Sequence, residues 1–352
     1  MPAPPPPFLA GIGQRVASRV DALLADEQAR WGAVDADLVA PYTALRALVA
    51  GGGKRLRPAF CHWGWVGAGG DPDDPRIVDA GAALELLHTF ALIHDDIIDG
   101  STRRHGGPCL HVSFAATHAA QGWHGDAARF GEGAAMLIGD VAFVYADRLL
   151  RGAPADALEV FDELRVEVNV GQYLDVLGTA TRPASTAQAR TICVYKSGKY
   201  TIERPLHLGA ALAGRLDELS KPYSAYGVPL GEAFQLRDDL LGAFGDADLL
   251  GKGVGEDLRE GKPTALFAIA RGRAAGSDAA LLDRCYGRPD LTGDEIAAVQ
   301  DVLTETGARA EVEASVTALT DTALAALAEA PVTTDARAAL TDLARFVSGR
   351  EF

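Results

Sequence analysis

The stretch Leu92-Ile93-His94-Asp95-Asp96-Ile97-Ile98-Asp99 limits the fold more than any other, because an apolar helical segment ends there in three carboxylates. Asp95 and Asp99 are four positions apart and share one helix face. Two carboxylates on one face repel unless a cation lies between them. Hard oxygen ligands at this spacing suit Mg²⁺, which takes few protein ligands and completes its shell with water and phosphate oxygens. Such a triplet by itself also fits a solvated helix end. A second acidic pair narrows the reading: Phe234-Gln235-Leu236-Arg237-Asp238-Asp239-Leu240-Leu241 sets two more carboxylates into another apolar helix, with Gln235 one turn before Asp238. Two aspartate-bearing helices predict a helical bundle around a cavity, where metal sites built from helices lie. Bridging Mg²⁺ ions there would clamp a diphosphate.

The rest of the chain supports an all-α architecture. Helical periodicity predicts helices over about 9–31, 36–50, 77–98, 133–151, 155–179, 187–213, 223–244, 263–273, 294–306, 308–329 and 334–347, bounded by Gly, Pro, Asp, Ser or Thr, with Asp294 as a cap. Phe114–Gly133, with His118, Trp123 and His124, reads as a surface loop, and Gly245–Gly261 as a second one. Residues 1–8 read as a mobile polyproline-like tail and 9–352 as one domain. The hydrophobic content of 48% is ample for a core. The start lacks the basic and apolar regions of a signal peptide, and no run has the uninterrupted apolar character of a membrane span. Cys61, Cys109, Cys193 and Cys285 show no pairing pattern and read as free thiols in a reducing, cytoplasmic compartment. The net charge of −15 argues against nucleic acid as a partner. It leaves anionic substrates possible where cations cluster locally.

They do cluster. Gly51-Gly52-Gly53-Lys54-Arg55-Leu56-Arg57-Pro58 sets three cations after a glycine run, without the spacing of a phosphate-binding P-loop. Arg103 and Arg104 follow Asp99, Lys196 and Lys199 flank Ser197-Gly198, and Lys252 and Lys262 follow the second aspartate pair. Together they offer the guanidinium forks and ammonium charges that two diphosphates need.

GGGKRLRP, HTFALIHDDIID, STRRHGGP, YKSGKYT, FQLRDDLLGAFGD and EGKPT, in this order from about residue 51 to 264, resemble the trans-prenyl diphosphate synthase family throughout. The resemblance implies an isoprenoid-synthase-type helical bundle around a central cavity, usually a homodimer, with isopentenyl diphosphate and an allylic diphosphate as substrates. It implies that Lys54, Arg57, His88 and Arg104 hold the isopentenyl diphosphate, and that Arg103, Lys196 and Lys252 hold the allylic one. Asp95 and Asp99 would ligate two Mg²⁺ ions and Asp238 a third, with Asp96 and Asp239 as indirect partners. Thr201 and Gln235 would line the reaction centre, and Lys262 would assist diphosphate binding.

One position departs from the family pattern. The second motif often reads DDxxD, and here its fifth place is Gly242, with Asp246 a weak substitute one turn on. The chemistry implied is ionisation of the allylic C–O bond, attack by the double bond of isopentenyl diphosphate, and proton loss. Phe90, five residues or about 7.5 Å before Asp95 along the helix, with the small Ala91 beside it, resembles the geranylgeranyl pattern and predicts a twenty-carbon product. A terpene cyclase of the same fold, a farnesyl or longer-chain synthase, and a partner subunit of a heteromeric synthase are the rival readings.

Overall fold

The computed structural model describes residues 4–104, 106–181, 185–245 and 255–349. They gather into two compact units, Pro7–His62 with Asp71–Ala153, and Trp63–Gly70 with Pro154–Phe352. The chain passes from one to the other within α3 (Leu56–Gly67). Apart from a two-stranded antiparallel hairpin, Arg103–Arg104 against Gly107–Pro108, regular structure among the described residues is helical.

In the first unit, α4 (Pro75–Ile98) is the core helix, packed on α1 (Phe8–Gly32), α2 (Val39–Ala50) and α6 (Ala127–Leu149). Pro75 takes the first helical position, and the Asp74 side chain caps α4 by accepting from the Arg76 N–H at 2.8 Å. Leu84, Leu86 and Leu87 have no exposed surface. Among the described residues α4 is the helix long and apolar enough to cross a membrane, but most of its apolar stretch is buried inside the protein. A buried carboxylate ties three helices together. Glu27 of α1 accepts from Arg148 (2.7 Å) and Tyr145 (2.9 Å) of α6, and Tyr145 shares a 2.7 Å hydrogen bond with Tyr42 of α2. Burial alone would raise the Glu27 pKa, but these donors outweigh it and lower it.

The loop predicted over Phe114–Gly133 is instead mostly helix: α5 (Leu110–Gln121) and the start of α6 occupy it, joined by a short turn. Gly122 ends α5 in the left-handed region (φ 62°), and Asp126 caps α6. Gly131, read as a loop marker, lies inside α6 because a Cβ there would come within 2.2 Å of the His111 carbonyl oxygen of α5. Its glycine serves close helix packing rather than a turn.

In the second unit, α10 (Leu216–Phe244) is the central element. It begins before Pro222, where the sequence predicted a start at 223, and holds both Pro222 and Pro229 inside. Tyr223 and Tyr226 are fully buried and anchor it by donating to the carbonyls of Gly64 (2.9 Å) and Leu340 (2.7 Å). The helix predicted over 187–213 is three pieces: α8 (Thr186–Ile192), a π-helical segment (Cys193–Glu203) and α9 (Arg204–Leu212). Downstream come α11 (Glu256–Glu260), α12 (Ala265–Arg273), α13 (Gly276–Cys285), α14 (Gly293–Glu305), α15 (Ala308–Glu329) and α16 (Thr334–Ser348). Leu236 and Leu240 of α10 share a buried cluster with Leu266, Leu282, Val299 and Val312 from α12 to α15. The cap of α14 is Thr292, not Asp294, because Thr292 and Glu295 form a reciprocal capping box.

The π-helical segment is wedged between α10 and α7 (Ala155–Thr181) by glycines. A Cβ on Gly231 of α10 would lie 2.4 Å from the Gly198 Cα, and one on Gly171 of α7 would lie 2.4 Å from the Lys196 backbone nitrogen. Both obstacles are backbone, which cannot step aside. We therefore expect Gly231→Ala to destabilise the protein by about 1–3 kcal/mol, read as a lower denaturant midpoint.

Candidate active site

The first unit carries the first aspartate motif at the C-terminal end of α4. Asp95 and Asp99 are partly exposed, Asp99 as the C-cap residue, while Asp96 is buried. Negative charge at a helix C-terminus opposes the helix dipole, so two partly exposed carboxylates there favour a nearby cation. Asp96 is committed elsewhere. It accepts from both Nε (2.8 Å) and Nη2 of Arg104, and Asp95 lies 3.7 Å from the same Nη2. Burial acts against the Arg104 charge, but the hydrogen bonds and charge of Asp96, with that of Asp95, outweigh it and raise its pKa. Arg104 is thus a clamp on the motif. The neighbouring Arg103 is exposed and donates to the Gly106 carbonyl (2.6 Å) within the hairpin.

Lys54 is exposed in the glycine loop, and Arg57, in the first turn of α3, is partly exposed. His88 is also partly exposed, on α4 two turns before Asp95. Phe90 packs its ring on His94 (4.5 Å between centroids) and on Phe143 of α6 (4.8 Å), so it is braced rather than free to swing. Ala91 is partly exposed beside it.

In the second unit, one face of α7 holds the π-helical segment through residues four apart. Glu167 accepts from Lys199 and takes the Arg204 guanidinium fork at 2.6 and 2.8 Å, Gly171 meets the Lys196 backbone, and Asp175 accepts from the Lys196 ammonium at 2.5 Å. Asp175 was not singled out from the sequence. Its spacing from Gly171 and Glu167 on a helix was the available signal. Thr201 has no exposed surface, and its hydroxyl finds no hydrogen-bond partner among the described residues. The partly exposed hydroxyl next to Lys196 is that of Ser197.

On α10, Asp238 is partly exposed and Asp239 buried, with Gln235 donating to Asp239 at 2.8 Å. Burial first, then the charge of Asp257, pushes the Asp239 pKa up to about 8. Asp257 of α11 also accounts for the missing fifth carboxylate: a Cβ on Gly242 would fall 2.4 Å from the Asp257 Oδ2. The glycine leaves a hollow that another carboxylate fills from a different element. Lys262 sits 2.8 Å from Glu260 and 3.7 Å from Asp257. Lys252 and Asp246 lie outside the described residues, as does most of the loop predicted over Gly245–Gly261, whose final part is α11.

The donor set fits hard divalent cations in both units: partly exposed Asp95 and Asp99 on one helix end, and Asp238 beside an Asp239 whose pKa is raised first by burial and then by Asp257. The strain on Asp239 has a pH signature. A carboxyl with pKa about 8 when folded and about 3.9 when unfolded makes the folded state hold the extra proton, so stability falls as pH rises between these values. In chelator-treated protein, Asp239→Asn should raise stability at pH 8 by roughly 1–3 kcal/mol and leave it unchanged at pH 4, measured by thermal unfolding at both.

Residues 40–303 match the family model for polyprenyl synthetase. A short chain isoprenyl diphosphate synthase of Methanothermobacter thermautotrophicus is 34% identical, over 93% of this chain and 96% of that one. A nonaprenyl diphosphate synthase of Mycobacterium tuberculosis is 30% identical, over 84% of this chain and 80% of that one. Among solved structures, a geranylgeranyl pyrophosphate synthase from Corynebacterium glutamicum, complexed with isoprenyl diphosphate and magnesium, superposes with a TM-score of 0.91 at 35% identity, covering 97% of this chain and 99% of that one. The chain belongs to the polyprenyl synthetase family and is a trans-prenyltransferase with the helical isoprenoid synthase fold.

Proposed function

We propose that this chain condenses isopentenyl diphosphate with allylic diphosphates to give geranylgeranyl diphosphate. The observation that carries the length is the braced Phe90–Phe143 ring pair beside the small Ala91, a bulky wall on the helix that bears Asp95. Asp95 and Asp99 hold two magnesium ions and Asp238 a third, with Asp239 and Asp257 supporting the latter. When bound, the metal supplies positive charge to the diphosphate leaving group. Lys196, Arg103, Lys252 and Lys262 add fixed cations to the allylic diphosphate, favouring C–O ionisation, while Gln235 keeps Asp239 oriented. Lys54, Arg57 and His88 hold the isopentenyl diphosphate, whose double bond attacks the allylic carbon. The proton released passes to the departing diphosphate. Arg104 supports the site by holding Asp96.

Two further readings go with this one. The chain works as a homodimer: α6 exposes Met136, Leu137 and Val144, and α7 exposes Val166, Val170 and Tyr173, apolar side chains of the kind a partner copy would cover. Cys61, Cys109, Cys193 and Cys285 are all buried free thiols, which fits a reducing cytoplasm.

The deciding experiment supplies the purified chain with Mg²⁺, labelled isopentenyl diphosphate and, separately, dimethylallyl, geranyl and farnesyl diphosphates. Elongation abolished by EDTA, with the twenty-carbon diphosphate as main product, is expected. No elongation from any starter would sink the synthase reading and leave cyclisation of a supplied diphosphate, or a missing partner subunit. Phe90→Ala should shift the main product to longer chains; an unchanged length would remove Phe90 from the wall.

A further inference from the structure

Three cations stand in the segment Lys54-Arg55-Leu56-Arg57; Lys54 is exposed, Arg57 partly exposed, and the middle one buries its guanidinium in an ion pair. The Arg55 side chain is 9% exposed and its partner, Glu85 of α4, is 7% exposed. Arg55 Nη1 donates to Glu85 Oε1, and Nη2 donates to the Val49 carbonyl in the last turn of α2, where a cation suits the helix dipole. Its stem lies against α1, where a Cβ on Gly13 would come 3.1 Å from the Arg55 Cγ. The Arg55 carbonyl accepts from the Ala59 N–H at 3.1 Å and so opens α3, whose first turn carries Arg57. The Arg55 side chain therefore joins three helices, and its backbone carbonyl opens a fourth.

Arg55 takes up this place in the left-handed backbone region (φ 49°), after Gly52 and Gly53 with φ of 103° and 129°. A non-glycine residue there is strained, and it persists only where its surroundings over-determine it. The pair with Glu85 supplies that constraint. Glu85 stands three residues before His88 on the same helix. The pair thus fastens the loop bearing Lys54, and the α3 turn bearing Arg57, to the part of α4 that bears His88.

We infer that Arg55 and Glu85 are positioning residues for the isopentenyl diphosphate subsite, holding Lys54, Arg57 and His88 in one arrangement without touching substrate. The inference rests on the synthase reading above and adds two residues to it.

The test measures KM for each substrate separately, with kcat and melting temperature, for Glu85→Gln, Arg55→Lys and the Arg55→Gln/Glu85→Gln pair. The paired change removes both buried charges at once, so it strands neither. The expected result is a KM for isopentenyl diphosphate raised about tenfold, with the allylic KM held within about twofold; the melting temperature is nearly kept in the paired variant and falls in Glu85→Gln, which strands the buried Arg55 charge. The paired variant should show no larger rise than the single ones, since each already breaks the same contact. Equal changes in both KM values, or an unchanged isopentenyl KM in a folded variant, would overturn the assignment. Failure of all three to fold would make the pair a structural brace and overturn it too. A wild type that elongates alongside unaffected variants removes only the positioning role, whereas a wild type that elongates nothing removes the synthase itself.

Discussion

Carboxylates kept charged, or nearly so, inside helices built for a hydrophobic core impose the main constraint on this protein. A helix such as α4, buried along most of its length, carries Glu85, Asp96 and then Asp95 and Asp99 at its end. An unpaired charge taken out of water is costly, so each buried one has a named cation: Glu85 has Arg55, Asp96 has Arg104, and Glu27 has Arg148. The second unit follows the same rule, with Lys196 on Asp175 and Arg204 with Lys199 on Glu167. Glu167 shows the balance clearly: burial would raise its pKa, and the two cations outweigh that and lower it. Asp239 is the exception, with Gln235 as its donor and carboxylates as its neighbours, and it is the group whose pKa climbs.

This division separates cations paired inside the protein from cations at its surface. Arginines and lysines matched to buried carboxylates organise the helices, while Lys54 and Arg103 stay exposed. The distinction is invisible in the linear motif, where Lys54, Arg55 and Arg57 look alike. It arises from tertiary contacts: Gly13 leaves room for one stem, and Glu85 meets one guanidinium.

Much of the fold was legible because the chain is so regularly helical, and the misreadings share one cause. Glycines and prolines were taken as punctuation, whereas several serve close packing. Gly131 lets α5 and α6 touch, and Pro222 and Pro229 sit inside α10, whose buried Tyr223 and Tyr226 hold it in place through tertiary hydrogen bonds. The π-helical segment is only 11 residues long, too few turns for its wider period to stand out from the α-helical flanks. At the site, the ordered motifs pointed to the aspartates and the basic residues, and geometry changed particular members. Thr201 is enclosed while Ser197 is open, Arg104 grips Asp96, and the carboxylate absent at Gly242 returns in space as Asp257. A local sequence window cannot report a replacement that comes from another helix.

The relatives of this chain include synthases of short and of very long products, and α4 shows how one scaffold can serve both. The same helix carries the carboxylates and, five residues earlier, the ring of Phe90. Distance along a helix is fixed at about 1.5 Å per residue, so a side chain on α4 stands at a set height from the aspartates. The charged end needs many matched partners and tolerates little change. A wall residue needs only bulk and a backing ring, which Phe143 supplies. On the reading proposed for Phe90, substitution at the wall would alter the space for a growing chain while leaving the ion pairs around Asp95 and Asp96 intact. Product length would then be a property of one or two side chains, and the ionising chemistry a property of the whole arrangement of buried charge.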